Sequence, residues 1–408
     1  MQVYTDLMQH VLDTGRWRGN RTGNNTIDTF GHHIHIDLKD GYPLVSQRFI
    51  STKALKGELI GFLNGVTNHE DFKKLGCSFW EPWALEKDLT ETIPRGGDEL
   101  IIEYAHLKGI STSKAMKLLN NKYGNNLKGL YEKFKSLGIE TEETKVLLRK
   151  GELGPIYSFA WTSWPTPDMK TINQIANLIR DLKADPDCRR EVIVAWNPAD
   201  KPDSSISPQE NVANFKPCLT PCHCLFQFYT QALTIAERIE WAVDNLDITV
   251  DGNEAFIVKL GGIDATGMDL EFAASRGRYS EEAMVVMDVM TARGIPAHNL
   301  LLNLYQRSAD VYHGVPFNIG SYAMLAAMVA EQTNMIPRDF NTYYGSVHLY
   351  EKHVNEEMVG KVLANKPFPL AKLKFNRKPD SIFDYRPEDI EIVDYQHHGI
   401  ISGGKPAV

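Results

Sequence analysis

The spacing of apolar and polar positions changes several times along this chain, and each change marks an element. Residues 26–38 alternate with period two and run into Lys39, Asp40 and Gly41, which predicts a strand followed by a turn. Residues 53–63 switch to helical spacing, with Leu55, Leu59, Phe62 and Leu63 on one face and Glu58 at the edge of that stripe. A carboxylate in such a place is either paired or functional. Residues 225–230 and 299–305 read as two further strands, and residues 322–332, apolar on nearly all sides, predict a buried helix.

Two intervals have a different texture. Residues 85–150 are charged, with amphipathic runs at 111–120 and 127–137, and read as a small inserted helical subdomain. Residues 232–298 carry helical patterns at 235–246 and 280–294, the second with Ser280 as N-cap, an acidic first turn and a closing Gly294. This interval separates the 225–230 and 299–305 strands, which would be neighbours in a simple sheet, so it reads as an excursion from a hairpin connection. No internal repeat or low-complexity tract is present.

Composition narrows the class. With 408 residues and 43% apolar content the chain can bury one large core or two smaller ones, and its net charge of −8 gives no electrostatic case for nucleic-acid or membrane binding. No apolar run reaches the roughly 18 residues of a membrane span. The five cysteines, Cys77, Cys188, Cys218, Cys222 and Cys224, follow no repeating frame, and the N-terminus lacks a basic and apolar leader, so a reducing cytoplasm is the expected compartment. Cys218, Cys222 and Cys224 invite a zinc or redox reading, but no second Cys/His cluster and no CxxC spacing accompany them. No metal is expected.

The chemistry centres on Cys222. Taken alone it reads as a buried structural cysteine, yet a downstream segment, residues 306–322, supplies what an activated thiolate needs. A thiol is a good nucleophile only as thiolate, and a cation such as Arg307 beside it lowers its pKa.

Taken together the motifs resemble thymidylate synthase and its nucleotide hydroxymethylase relatives. They are Arg21-Thr-Gly23, Asp40-Gly-Tyr-Pro-Leu-Val45, Gly57-Glu-Leu-Ile-Gly-Phe-Leu63, Trp80-Glu-Pro-Trp-Ala84, Gly151-Glu-Leu-Gly-Pro-Ile-Tyr157, Asp185-Pro-Asp-Cys-Arg-Arg190, Pro221-Cys-His223, the Arg307 segment, His348-Leu-Tyr350 and the Pro406-Ala-Val408 tail. The resemblance implies an α/β (α+β) three-layer fold: one catalytic domain over residues 1–408, with the intervals 85–150 and 232–298 as insertions. It also implies a large mixed sheet that packs against its copy in an obligate homodimer.

Carried over to these positions, the resemblance makes Cys222 the nucleophile that adds to C6 of a pyrimidine nucleotide and activates C5. Arg307 steadies the thiolate and binds the phosphate with Arg21, Ser308 and, from the other subunit, Arg189 and Arg190. Several arginines converging on one dianion suit bidentate phosphate recognition. His348 and Tyr350 bind the sugar hydroxyl, and Asn318 reads the base. An amide offers both a donor and an acceptor, which matches uracil O4 and N3–H and points to dUMP rather than dCMP. Glu58 and Tyr157 handle protons with an ordered water. The implied one-carbon donor is 5,10-methylenetetrahydrofolate, with Trp80, Trp83, Gly314 and Phe317 as its walls, Asp310 as acceptor for pterin N–H groups, and Val408 as a closing carboxylate.

The departures from the family pattern bear on the product. Where synthases continue Gly-Lys/Val-Gln-Trp-Arg after the tyrosine, this chain reads Ser158-Phe-Ala-Trp-Thr162; phage dCMP hydroxymethylases also have an aromatic residue followed by Ala there. Ser46-Gln47-Arg48 replaces Thr-Thr-Lys/Arg, and His313 replaces a leucine. Ser158 and His313 are the residues that could admit or orient water, and hydride transfer needs a dry site. The favoured reading is therefore a phage-type dUMP hydroxymethylase giving 5-hydroxymethyl-dUMP and tetrahydrofolate. The alternatives are thymidylate synthase, giving dTMP and dihydrofolate, and a catalytically idle nucleotide-binding scaffold.

Overall fold

The computed structural model describes residues 1–19, 23–123, 126–246 and 281–401. Arg21, Ser280 and Val408 lie outside these residues. A six-stranded sheet organises the chain: β1 (Arg16–Arg18), β2 (Thr26–Asp37), β3 (Val192–Val194), β4 (His223–Ala232), β5 (His298–Asp310) and β6 (Ile336–Tyr350). Its spatial order is β1-β2-β6-β5-β4-β3. The β5/β6 pair is parallel and every other pair antiparallel, so the sheet is mixed as expected. The two strands expected to be neighbours across the second interval do pair, with Phe226 opposite Leu304 and Phe228 opposite Leu302.

Helices cover one face of the sheet. After α1 (Gln2–Thr14), the helix α2 (Thr52–Leu63) starts where the Ser51 hydroxyl accepts from the Ala54 N–H, and buries Leu55, Leu59, Phe62 and Leu63 as its spacing predicts. The apolar stretch predicted as a buried helix is the core of α5 (Gly314–Thr333), which packs on β5, β6 and α2 and ends at Asn334 in the left-handed region (φ 55°). This helix also carries the chain between the parallel strands β5 and β6, the connection such a pair requires. Two shorter helices, α3 (Tyr157–Thr162) and α4 (Gln174–Ala184), pack on each other, α3 against α2 and α4 against α5.

The other sheet face carries the opposite parity of each strand, and among the described residues it is open. Val192, Leu225, Tyr229, Tyr305 and Tyr343 are all exposed there. Single exposed apolar residues are ordinary, but one spread across four adjacent strands is an unmet apolar surface.

Residues 85–150 contain the expected helices, Gly97–Lys108, Thr112–Tyr123 and Leu127–Ser136, around a separate cluster of Leu100, Leu119, Phe134 and Ile139. They also contain a feature that the helical reading omits. Leu89–Pro94 pairs antiparallel with Glu142–Leu148, forming a two-stranded neck. In the second interval, Ile235–Asn245 and Glu281–Ala292 are helical where the pattern places helices. The buried Arg238 joins them by donating to the Met287 and Ile295 carbonyls and the Thr291 hydroxyl. No helix among the described residues is long and apolar enough to cross a membrane.

Gly154 explains how two distant motifs come together. Its φ is +72°, and a Cβ added there would sit 2.2 Å from the Lys216 carbonyl oxygen, so only glycine lets the 151–157 motif close on the segment leading to Cys222. The Cys218 N–H donates to the Leu153 carbonyl at 2.8 Å beside it. Gly154→Ala is expected to lower stability by on the order of 2–3 kcal/mol, read as a shift in the urea midpoint, because it adds both strain and overlap.

Candidate active site

Cys222 lies just before β4, level with Gln306 and Arg307 on β5. The two segments are locked together by Arg307. Its backbone N–H donates to the Cys222 carbonyl (2.9 Å), its Nε to the Pro221 carbonyl (2.7 Å) and its Nη2 to the Thr220 carbonyl (3.1 Å). The same Nη2 reaches Cys222 Sγ at 3.8 Å, and the guanidinium rests 5.5 Å from the centre of the Trp196 ring. Arg307 thus holds the loop and faces the thiol at once.

Arg307 acts on the thiol in the expected direction, against a larger opposing effect. Burial pushes the Cys222 pKa up, Arg307 pulls it down and Asp310 adds to the rise, with a net elevation. Desolvation of the thiolate outweighs the one cation in contact. In this chain Arg307 is a partial offset to burial.

Tyr157, at the start of α3, is bound to this loop from the other side. The Cys222 N–H donates to its hydroxyl oxygen at 2.7 Å, and its ring stacks on His223 with centres 4.2 Å apart. Burial holds the Tyr157 phenol neutral, well above its ordinary pKa, and lowers His223 to about 3, so His223 is an uncharged ring at neutral pH. His223 Nδ1 lies 3.2 Å from the Tyr322 hydroxyl on α5. His223 and Tyr322 were missed in the sequence reading, although both stand inside motifs quoted there.

Glu58 is the carboxyl that the helical stripe flagged. It is half-buried on α2, and the Trp80 indole N–H donates to its Oε1 at 3.0 Å. Burial raises its pKa to about 7, against a smaller lowering from the Trp80 hydrogen bond. A carboxyl that titrates near neutrality can give and take protons at working pH. Trp80 is consequently a core residue and the partner of Glu58, packed edge-on against Phe62, Tyr157 and Trp83.

Asn318, on the first turns of α5, donates through Nδ2 to Gln306 Oε1 at 2.7 Å. Gln306 is fully buried and its own Nε2 has no partner. A buried amide at the end of this pair fixes how Asn318 presents its remaining donor and acceptor. Gln306 has a legible signal in sequence that was passed over: it shares core-facing parity with Leu300, Leu302 and Leu304 on β5, where a polar residue needs a reason.

Asp310 ends β5 and accepts from the Tyr312 and His313 backbone N–H groups at 2.9 and 3.1 Å, which shapes the turn into α5 and places Gly314 beside it. Phe317 meets Phe79 edge-on at 4.7 Å. Ser308 and His348 are level across β5 and β6 with Ser346 and Asp310, respectively, and His348 lies 5.2 Å from the Tyr350 ring. Trp83 is half-buried and its indole N–H has no partner, an acceptor-seeking group on the wall assigned to the folate. With Phe317 and Asp310 this is a fitting set of apolar surface and hydrogen-bonding groups for a pterin.

Three further positions named in the sequence are placed as follows. Ser158 is fully buried and donates its hydroxyl to the Val66 carbonyl at 2.5 Å, so the protein already uses the group proposed to meet a water. Arg189 and Arg190 are exposed on the loop before β3, whose neighbour Glu191 bonds to Phe228. Phe228 is six residues beyond Cys222, about 20 Å at strand rise, so neither arginine approaches Cys222 of its own chain. Arg48 points inward, bonded to the Tyr312 carbonyl and lying over its ring at 4.7 Å. Among the described residues no group of three His, Cys, Asp or Glu side chains could hold a metal, and all five thiols are free.

A family model described as thymidylate synthase matches residues 2–249 and 282–405. The match runs unbroken across 85–150 and is interrupted only inside the second interval.

Proposed function

The chain belongs to the thymidylate synthase family, whose members transfer a one-carbon unit from methylenetetrahydrofolate to C5 of dUMP, and from that premise we propose that this protein quenches the transferred carbon with water. Cys222 adds to C6 of dUMP, the one-carbon unit joins C5, and the resulting exocyclic methylene takes up water to give 5-hydroxymethyl-dUMP, leaving the donor as tetrahydrofolate. Covalent addition at C6 turns a poor carbon nucleophile into an enolate-like one, splitting one hard step into easier ones. The reading is supported by the contacts above: Arg307 and Tyr157 on the Cys222 loop, Glu58 poised near neutrality, and an Asn318 amide braced by Gln306 for uracil. The folate supplies the carbon unit when bound; Trp83, Phe317, Gly314 and Asp310 would hold it.

One observation favours water over hydride. Of the two residues that could meet a water, Ser158 is engaged inside the protein, whereas His313 sits half-buried next to Asp310 where the family has leucine. The competing outcome, dTMP with dihydrofolate, is favoured by the family membership alone. Incubation with dUMP and methylenetetrahydrofolate, followed by mass spectrometry of the nucleotide and absorbance of any dihydrofolate, tests the proposal. A hydroxymethyl nucleotide is expected, and dTMP with stoichiometric dihydrofolate would sink it.

The open sheet face and the distant arginines support a homodimer in which Arg189 and Arg190 complete the partner's phosphate site. Neither Cys222→Ser chains nor Arg189→Ala/Arg190→Ala chains would then be active alone. An equal mixture is expected to regain about one quarter of wild-type turnover, because half of the dimers hold one intact site of two. No recovery after demonstrated subunit exchange would place the arginines elsewhere.

A further inference from the structure

The residue on which the water reading turns does not stand alone. His313 Nε2 lies 3.2 Å from Nε2 of His353, which is fully buried. The His353 ring in turn stacks on Tyr312 at 4.8 Å. Two imidazoles meeting through these nitrogens must be one donor and one acceptor, so each fixes the tautomer of the other. The interior behind the pair is polar: His353 Nδ1 and the Tyr312 hydroxyl are buried without a hydrogen-bond partner, and the Tyr4 hydroxyl and Arg48 lie close to each other there. The charged and titratable groups facing the pair are Asp310, Arg48, Lys352, Tyr312 and Tyr350. Burial keeps both rings neutral, lowering His353 to about 4 and His313 in the same direction, while Asp310 opposes the shift for each.

We propose that His313 is the general base that directs water onto the exocyclic methylene, and that His353 is the positioning residue that holds His313 in the base-competent tautomer. The inference deepens the hydroxymethylase reading and rests on it. With His313 Nε2–H donating to His353 Nε2, the His313 Nδ1 lone pair is left to accept from a water. The water oxygen bonds to the methylene carbon as its proton passes to Nδ1. The methylene π electrons move to O4 as an enolate. The enolate then re-forms C5=C6 and breaks the C6–S bond, returning Cys222 as thiolate, and the His313 proton leaves to solvent. No oxidant or reductant enters, so the donor departs unoxidised. Neutral imidazole beside the Asp310 carboxylate suits this task, since the imidazolium formed is stabilised by that charge.

The test counts 5-hydroxymethyl-dUMP formed per tritium released from [5-³H]dUMP, because tritium release reports the earlier steps and corrects for any loss of folded enzyme. For His313→Leu this ratio is expected to fall at least about tenfold, general-base removal being worth on the order of 10² or more. His313→Gln, which keeps a hydrogen-bonding side chain without a base, is expected to fall likewise. His353→Gln is expected to retain the product while shifting the pH profile of the ratio, together with the NMR titration of the His313 ring in the free protein; a packing role alone would move neither. An unchanged ratio in both His313 variants would overturn the role of the pair while leaving the hydroxymethylase reading intact. Wild-type enzyme that makes only dTMP would overturn both.

Discussion

Cys222→Ser is expected to abolish turnover, with a loss on the order of 10⁴-fold or more, the scale seen when a covalent nucleophile is removed. The residual hydroxyl is a far weaker nucleophile and lies in the same desolvated place, where burial already disfavours the ionised thiol. Binding is a separate matter: Arg307 takes its backbone anchors from the Thr220, Pro221 and Cys222 carbonyls, none of which the substitution removes. dUMP affinity measured by calorimetry should therefore change little while tritium release from C5 disappears. Surviving turnover would mean that the C6 adduct is not on the path.

Glu58→Gln carries the second large effect, and it is expected to act in opposite directions on catalysis and stability. Loss of a carboxyl that exchanges protons near neutrality should lower kcat by roughly 10²–10⁴-fold. Stability should respond to pH in the wild type and not in the variant. The folded-state pKa is raised from the ordinary 4.5 to about 7, so between those values the folded protein keeps a proton that the unfolded chain releases. Wild-type stability accordingly falls as pH rises through that window, by a total of about 3 kcal/mol above pH 7. Urea unfolding at pH 5 and pH 8 should show this loss for wild type, with Glu58→Gln close to level. A wild type without the slope would contradict the desolvated carboxyl.

What could be read from sequence, and what could not, divides along a physical line. The existence of β2, β4 and β5 and the buried stretch of α5 were legible because burial of one face imposes a period, and that period is local, although β5 runs on to Asp310, past the expected end at Tyr305. Glu58 was legible for the same reason, as a charge that breaks an apolar stripe. Its partner was not: the Trp80 indole arrives from 22 residues away through packing that no local pattern encodes. The thiol of Cys222 illustrates the limit further. Sequence supplied the cation but not the desolvation, and desolvation decides the sign. Ser158 looked like a water ligand in the alignment of motifs, yet the turn of α3 sends its hydroxyl to the Val66 carbonyl. Gln306 and the His313–His353 contact were missed for different reasons. Gln306 was within reach of a parity count, whereas the histidines meet across 40 residues.

The neck formed by Leu89–Pro94 and Glu142–Leu148 has a thermodynamic consequence. The four-residue cluster above it is separate from the main core, so the 97–136 helices can open as a cooperative unit without disturbing the sheet. Amide hydrogen exchange would then divide the molecule into two classes, with those helices exchanging at a free energy well below that of β5 and β6. A binding partner that grips the unit would register as a rise in that lower plateau alone, leaving the protection of the catalytic strands where it was.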